Sequence, residues 1–362
     1  MLVASAEFTL KSSPVRRTLE QRLMDDLKVG MTRKGLDGFN IEMDAGRIIV
    51  RGVRDAEIAA RCCARVFGVA YAAPASVLPA SMSGVMKMIV EMAEKSLSPG
   101  QSFAIRSHRA TPSPLSRREV EIKGGSEVLR VLNSSGVKVD LTNPDLTIFV
   151  DLVDDRAYVY REKLTGPGGL PLSSQWKMLL ILDSGPLSVL AAYAMMRRGC
   201  LIEPLLPLSD RLSFFARDQQ LQLGQNLRDL VTRPSYRIFT LEFDQSFRNA
   251  SSLAYPEARW LARKAGTRLA AEKRFKGVVF SDVAGPIGVR QPQDAVDSRM
   301  NPPIFQPLIG LSSEDLSTMC KEVGIAEDRL LSQMELERSA PDSPILDVSE
   351  DSNGIEFGQL SL

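Results

Sequence analysis

The sequence predicts a multidomain chain of mixed class, α+β in its first half and α/β in its second, on three observations. Its 362 residues are 44% hydrophobic, enough to build two or more separate cores. Up to about residue 165, short strands and amphipathic helices follow one another irregularly. From Lys177 onward, apolar strands alternate regularly with helices, the pattern of a doubly wound parallel sheet.

The first unit is expected over residues 1–75. Glu7–Leu10 reads as a short extended segment, and Val15–Val29 as a helix with Leu19, Leu23 and Leu27 on one face. Gly46–Val53 is a β-branched strand, and Glu57–Val66 resumes a helical pattern. That succession suits a ferredoxin-like α+β unit. It ends near Ala72, before a helix over Met82–Ser96 whose Met86, Ile89, Val90 and Ala93 stripe is assigned to core packing.

A second unit is expected over residues 76–165. Ser102–Arg109 is a strand rich in basic residues, and Ser116–Leu132 a helix despite Gly124 and Gly125. Val137–Leu141, Leu146–Val153 and Ala157–Arg161 are short strands separated by turn residues. The Gly- and Pro-rich residues 166–175 form a linker.

The third unit, residues 176–330, opens with the apolar run Lys177–Leu182, which suits a buried parallel strand. A helix over Val189–Arg198, a strand over Cys200–Leu206, a helix over Arg211–Leu230 and a strand over Tyr236–Phe243 follow. Ala258–Lys273 is then a helix feeding the strand Gly277–Phe280, and Ser313–Val323 a further helix. Ligands of such sheets bind beyond the carboxyl ends of the strands, so chemistry is sought in the loop after Leu182. Residues 331–362 hold seven acidic side chains and one basic, Arg338, and are expected to form an acidic disordered tail. The formal net charge of +1 therefore joins a mildly basic body to an acidic end.

Several classes are excluded. His108 is the only histidine, so neither a Ser-His-Asp hydrolase nor a histidine-based metal site is expected. The four cysteines, Cys62, Cys63, Cys200 and Cys320, contain no C-x-x-C pair, which argues for a reducing, cytoplasmic setting. No apolar run is long enough to span a bilayer, so no membrane partner is expected. In the second unit, Arg106, His108 and Arg109 cluster at one strand end, with Arg117, Arg118, Lys123, Lys138, Arg161 and Lys163 nearby in sequence. Such cations can track phosphates, and His108 can stack on a base; their ordinary alternative is solvated surface charge.

Several runs resemble one known family. Asn143-Pro-Asp-Leu-Thr-Ile-Phe-Val-Asp151, Ala157-Tyr-Val-Tyr160, Gly166-Pro-Gly-Gly-Leu-Pro171 and Met195-Met-Arg-Arg-Gly199 occur in the order and spacing of the tRNA 4-thiouridine synthetase (tRNA sulfurtransferase) family. Glu7-Phe-Thr-Leu-Lys-Ser12, Pro14-Val-Arg-Arg17 and Gln306-Pro-Leu-Ile-Gly310 sit where that family has similar runs. The resemblance implies a ferredoxin-like domain, a THUMP domain for RNA and a PP-loop domain. It further implies capture of tRNA by its acceptor end and ATP- and Mg2+-dependent activation of uridine at the eighth position before sulfur replaces oxygen. The RNA-binding candidates are then Arg106, His108, Arg109, Arg117, Lys123, Lys138, Arg161 and Lys163.

The chain departs from the family where ATP would bind. The PP-loop pattern S-G-G-x-D-S is met by Asp183-Ser-Gly-Pro-Leu-Ser188, in which only Gly185 and Ser188 match. Asp183 and Ser184 replace Ser and Gly, Pro186 lacks an N–H, and Leu187 replaces the acid. The nearest cations that follow the loop are Arg197 and Arg198, on the far end of the helix. Phe280-Ser-Asp-Val-Ala-Gly285 keeps an acid at Asp282 and a glycine at Gly285. The degenerate ATP site is therefore assigned to Asp183, Ser184, Gly185, Ser188, Asp282 and Gly285. Asp282 and Cys320 are the remaining catalytic candidates, although Cys320 does not align with the family cysteine and reads more readily as a buried helical thiol than as a persulfide carrier. The expected function is tRNA binding in tRNA thio-modification without certain cofactors, in concert with an active sulfurtransferase partner or sulfur donor. The alternative is an active ATP-dependent tRNA sulfurtransferase. Either is compatible with a homodimer.

Overall fold

A computed structural model describes residues 1–6, 11–44, 46–109, 111–183, 185–208, 217–232, 236–243, 255–283, 302–339 and 355–360. The chain divides into two units, Met1–Gly168 and Gly169–Leu362.

The first unit opens with β1 (Leu2–Ser5), α1 (Ser13–Arg33), β2 (Asn40–Asp44), β3 (Arg47–Arg51), α2 (Ala56–Cys63) and β4 (Val69–Ala73). In α1 a proline occupies the first turn, where its missing N–H costs nothing, and Leu19, Leu23, Leu27 and Met31 recur at four-residue spacing on the buried face. The strands lie in the order β4-β1-β3-β2, each antiparallel to its neighbour. This split β-α-β arrangement makes the sheet ferredoxin-like. The strand expected at Glu7–Leu10 lies outside the described residues, and the structure begins its sheet at Leu2.

The chain continues with β5 (Ser76–Pro79), α3 (Met82–Ser96), β6 (Ser102–Arg109), α4 (Arg117–Val131), β7 (Lys138–Val139), β8 (Leu146–Val153) and β9 (Arg156–Tyr160). They build a second sheet in the order β5-β9-β8-β6-β7. One face is covered by α3 and α4, with Val85, Ile89, Val120 and Val128 packed against Phe103, Ile105, Ile148 and Val150. Met86 and Val90 join this core, so the methionine-bearing stripe does pack. The opposite face brings Val153, Tyr158 and Tyr160 onto Leu2, Ile49 and Ala73 of the first sheet. A last strand, β10 (Leu164–Thr165), pairs antiparallel with β4, so the first sheet takes its edge from the chain beyond the second sheet. The N–H groups of Gly166 and Gly168 then donate to Ala70 and Val69, fastening the start of the expected linker to that edge.

The second unit contains β11 (Lys177–Ile181), α5 (Gly185–Arg197), β12 (Leu201–Leu208), α6 (Arg217–Leu230), β13 (Ile238–Phe243) and α7 (Tyr255–Glu272). After them come β14 (Val278–Val279), β15 (Ile304–Phe305), α8 (Ser313–Val323), α9 (Glu327–Ser339) and β16 (Ile355–Leu360). The sheet order is β15-β14-β11-β12-β13-β16, with β11 to β15 parallel. The chain leaves β11 toward β12 and β13, then crosses back to β14 on the other side. Ala262, Ala265 and Leu269 of α7 pack on Leu179, Ile181, Leu205 and Val278. The period of two in a strand turns Met178 and Leu180 to the opposite face, and α5 is buried along nearly its whole length. Helices on both faces make this the doubly wound sheet that the sequence predicts.

The end of the chain corrects an expectation. Residues 331–362 are not one disordered tail: α9 runs to Ser339, and β16 adds antiparallel to β13. The acidic count masked two short apolar patterns. Leu330 and Met334 are buried four residues apart on α9, and the run Ile355-Glu-Phe357 has the alternation of a strand.

Candidate functional site

The strand order of the second unit reverses between β11 and β14, and ligands of doubly wound sheets bind at such a switch point. Asp183 follows β11 and Ser281 and Asp282 follow β14, so the topology brings these side chains to the same sheet end. Helix α7 adds Arg259 and Arg263, one turn apart on one face. Asp183 Oδ2 accepts from Arg259 Nε at 3.1 Å and from Arg263 Nε at 2.6 Å, while Oδ1 accepts from Ser281 Oγ at 3.1 Å. Asp282 Oδ1 accepts from Arg259 Nη2 at 3.1 Å and Arg263 Nη2 at 3.0 Å. Its Oδ2 accepts from Arg263 Nη1 at 3.2 Å and from Gln306 Nε2 at 2.7 Å. The Arg263 guanidinium also lies over the Phe280 ring, 4.4 Å from its centroid.

This cluster is desolvated. Asp183 is 4% exposed, and Ser188 and Ser281 are fully buried with their hydroxyl oxygens 3.3 Å apart. Burial alone would raise the Asp183 pKa, but Arg263 and Arg259 outweigh it and hold the carboxyl down at about 2. Helix α5 starts at Gly185, whose φ of +49° suits glycine. Pro186 and Leu187 are buried in its first turn. Ser184 and Gly285 lie outside the described residues. Asp183, Asp282, Gly185 and Ser188 thus stand about one sheet end, and the cations that meet the two aspartates are Arg259 and Arg263. Arg197 faces Glu322 at 3.7 Å. Sequence reasoning missed Arg259, Arg263 and Gln306, although Arg-x-x-x-Arg on a helix leading to this strand was a readable signal. Cys320 is buried in α8, its thiol pushed up by burial and by Glu327, the opposite of the exposed thiolate that sulfur transfer needs.

The basic candidates of the first unit separate into groups. Phe103 and Ile105 face the helices, so alternation puts Arg109 on that side and turns Arg106 and His108 to the other. There they pair in register with Phe149 and Asp151. Arg106 is exposed and Nη2 donates to Leu141 O at 2.9 Å. Lys163 Nζ lies 3.9 Å from the Phe149 ring centroid and 4.8 Å from that of Tyr71. Burial lowers the Lys163 pKa, and Arg47 and Arg106 lower it further against the pull of Asp151, so these cations share one neighbourhood. Arg47, which sequence reasoning missed, also stands 3.4 Å from the buried Asp151. On α4, Arg117 and Lys123 are exposed and face Glu121 at 4.0 Å and Glu119 at 3.6 Å. Arg161 donates to Ser96 Oγ at 2.8 Å. Lys138 pairs with Ser102, about 23 Å along β6 from Arg109 at roughly 3.3 Å per residue. The eight candidates therefore do not form one patch.

Fold and site together define a two-part class: a double-sheet α+β module followed by a doubly wound α/β domain with an ionic cluster at its switch point. A THUMP domain model matches residues 79–162, and the model described as thiamine biosynthesis protein (ThiI) matches residues 173–338. A probable tRNA sulfurtransferase of Thermococcus kodakarensis is 26% identical over 93% of this chain and 90% of its own length. One from Methanocaldococcus jannaschii is 27% identical over 90% and 88%. Among solved structures, a 4-thiouridine synthetase in complex with RNA and ATP superposes with a TM-score of 0.71, covering 99% of both chains at 17% identity. The protein PH1313 of Pyrococcus horikoshii gives 0.66, covering 90% of this chain and 99% of its own at 24% identity. The chain thus joins a THUMP match to a ThiI match and is similar along about nine-tenths of its length to curated tRNA sulfurtransferases. Among the described residues, no helix is long and apolar enough to cross a membrane.

Proposed function

We propose that this chain is a tRNA-capture protein of the tRNA sulfurtransferase family, acting in tRNA thio-modification, whose ATP site is closed. The single observation that carries this reading is the Asp183–Asp282–Arg259–Arg263 cluster. A nucleotide's phosphates need backbone donors and an unopposed positive field. Here a buried carboxylate held ionised lies at the start of the loop, Pro186 offers no N–H, and the two arginines are engaged by two aspartates. These residues do not fit ATP.

RNA capture falls to the first unit. Arg106 and Lys163, with Arg47 beside them, offer cations, and His108 a ring, where the two sheets of the first unit bring Tyr71 and Phe149 together, the combination that holds RNA by phosphate contact and stacking. The expected substrate is the acceptor end of tRNA, presented to a sulfurtransferase partner in the cytoplasm. The THUMP match and the RNA in the related solved structure support this reading.

The test is a pair of titrations on the full chain. Unmodified tRNA should bind with an affinity that falls steeply with salt, and Mg2+-ATP should give no saturable heat. tRNA binding insensitive to salt would overturn the capture reading. Saturable ATP binding would favour the alternative, an active ATP-dependent tRNA sulfurtransferase.

A further inference from the structure

We propose that the Asp183 carboxylate is an intramolecular occupant of an anion site formed by Arg259 and Arg263, so that Asp183 is the residue that closes this site to pyrophosphate-bearing ligands. The inference rests on the closed-site reading above and adds which group closes it and what the site would otherwise take.

The two aspartates play different parts. Both Nε atoms converge on one oxygen of Asp183, at 3.1 and 2.6 Å. Two guanidinium groups focused on a single oxygen are an arrangement suited to a terminal phosphate oxygen. Asp282 instead accepts from the Nη atoms of both arginines and from Gln306. Gln306 holds its second oxygen as Ser281 holds that of Asp183, so what separates the two is that Asp282 meets the outer Nη atoms, orienting the guanidiniums, and leaves the Nε focus to Asp183. Asp183 is therefore an occupant and Asp282 a positioning residue.

The charges close on this account. Among the described side chains of the cluster, two guanidiniums and two carboxylates balance in charge, which leaves a diffusing anion little net attraction. Removing the Asp183 charge leaves one positive charge in surplus, beside the first turn of α5, whose end carries partial positive charge. A tethered carboxylate also competes at an effective concentration that a free ligand reaches only with difficulty. Its pKa of about 2 keeps it ionised throughout the physiological range.

The experiment is titration of inorganic pyrophosphate into wild-type protein, Asp183→Ser, Asp183→Asn and the double variant Asp183→Ser/Arg263→Gln, by calorimetry and by thermal shift. Wild type should show no saturable binding. Both single variants should bind, roughly tenfold or more tighter than any wild-type response, and the double variant should lose that gain. Thermal shift keeps the test open to a destabilised variant, because a ligand of the native state raises its melting temperature. Single variants that fold and ignore pyrophosphate would overturn this proposal and leave the closed-site reading standing. Two single variants that lose their fold, with no recovery on adding pyrophosphate, would also count against it. Wild-type protein that binds pyrophosphate would overturn the closed-site reading itself.

Discussion

Replacing Asp183 by Asn removes its charge at nearly constant size and tests the ionic cluster energetically. The carboxyl is held at about 2 against an ordinary 3.8. A gap of about two units, at about 1.36 kcal/mol each, corresponds to about 2.5 kcal/mol of stability carried by the ionised form. Removing one partner of a buried ion pair typically costs about 3–5 kcal/mol, but Asp282 remains to face both guanidiniums. The expected loss near neutral pH is therefore about 2–3 kcal/mol. Because the folded pKa is depressed, this contribution is complete above about pH 4 and is lost as pH falls toward about 2. Both tryptophans, Trp176 and Trp260, belong to the second unit, so their fluorescence during urea unfolding reports that unit selectively. The variant should unfold at lower urea at pH 7, and its gap from wild type should close between about pH 4 and pH 2. Equal stabilities at pH 7, or a gap that ignores pH over that interval, would refute the reasoning.

Other consequences follow from packing and charge. Gly266 has no room for a Cβ against Ile181 and Leu205, so Gly266→Val should destabilise the second unit by about 1–3 kcal/mol in the same fluorescence assay; unchanged stability would deny the close approach of α7 to β11. Asp151 is 3% exposed, accepts from Tyr160 Oη at 3.1 Å and faces Arg47. Asp151→Ala should therefore cost the first unit about 3 kcal/mol by calorimetric unfolding, and a cost near zero would count against the buried pair. Cys320 should resist alkylation in the native protein and react on unfolding, whereas the half-buried Cys62 should react earlier; mass-spectrometric labelling in the reverse order would contradict the burial. Arg106→Ala should weaken tRNA binding and reduce the salt slope by about one, and an unchanged slope would remove Arg106 from the interface.

The elements most legible in the sequence were those whose apolar pattern is strong and local. The helix over Met82–Ser96 and the strands Ser102–Arg109 and Leu146–Val153 have the bounds read from periodicity. Polar edge strands were harder: β2, Asn-Ile-Glu-Met-Asp, carries three polar residues in five and is held by pairing with β3. Strand β10 has two residues and exists only because β4 offers an edge. The candidate site divides in the same way. The strand pattern pointed to the loop after Leu182, and the resemblance to the family's loop patterns then singled out Asp183, Gly185, Ser188 and Asp282. Arg259 and Arg263 reach Asp183 from 76 and 80 residues away, and only the crossing of α7 over β11 brings them there. The aromatic surroundings of Lys163 arise likewise from β4, β8 and β9, a juxtaposition that periodicity along one segment cannot supply.

The central claim, tRNA capture without adenylation, is tested most directly by product analysis. The full-length protein is incubated with unmodified tRNA, ATP, Mg2+ and sulfide, and the digested RNA is assayed for 4-thiouridine. tRNA should be retained in a salt-sensitive complex, with no 4-thiouridine formed. Formation of 4-thiouridine that disappears in Asp282→Ala would contradict that claim.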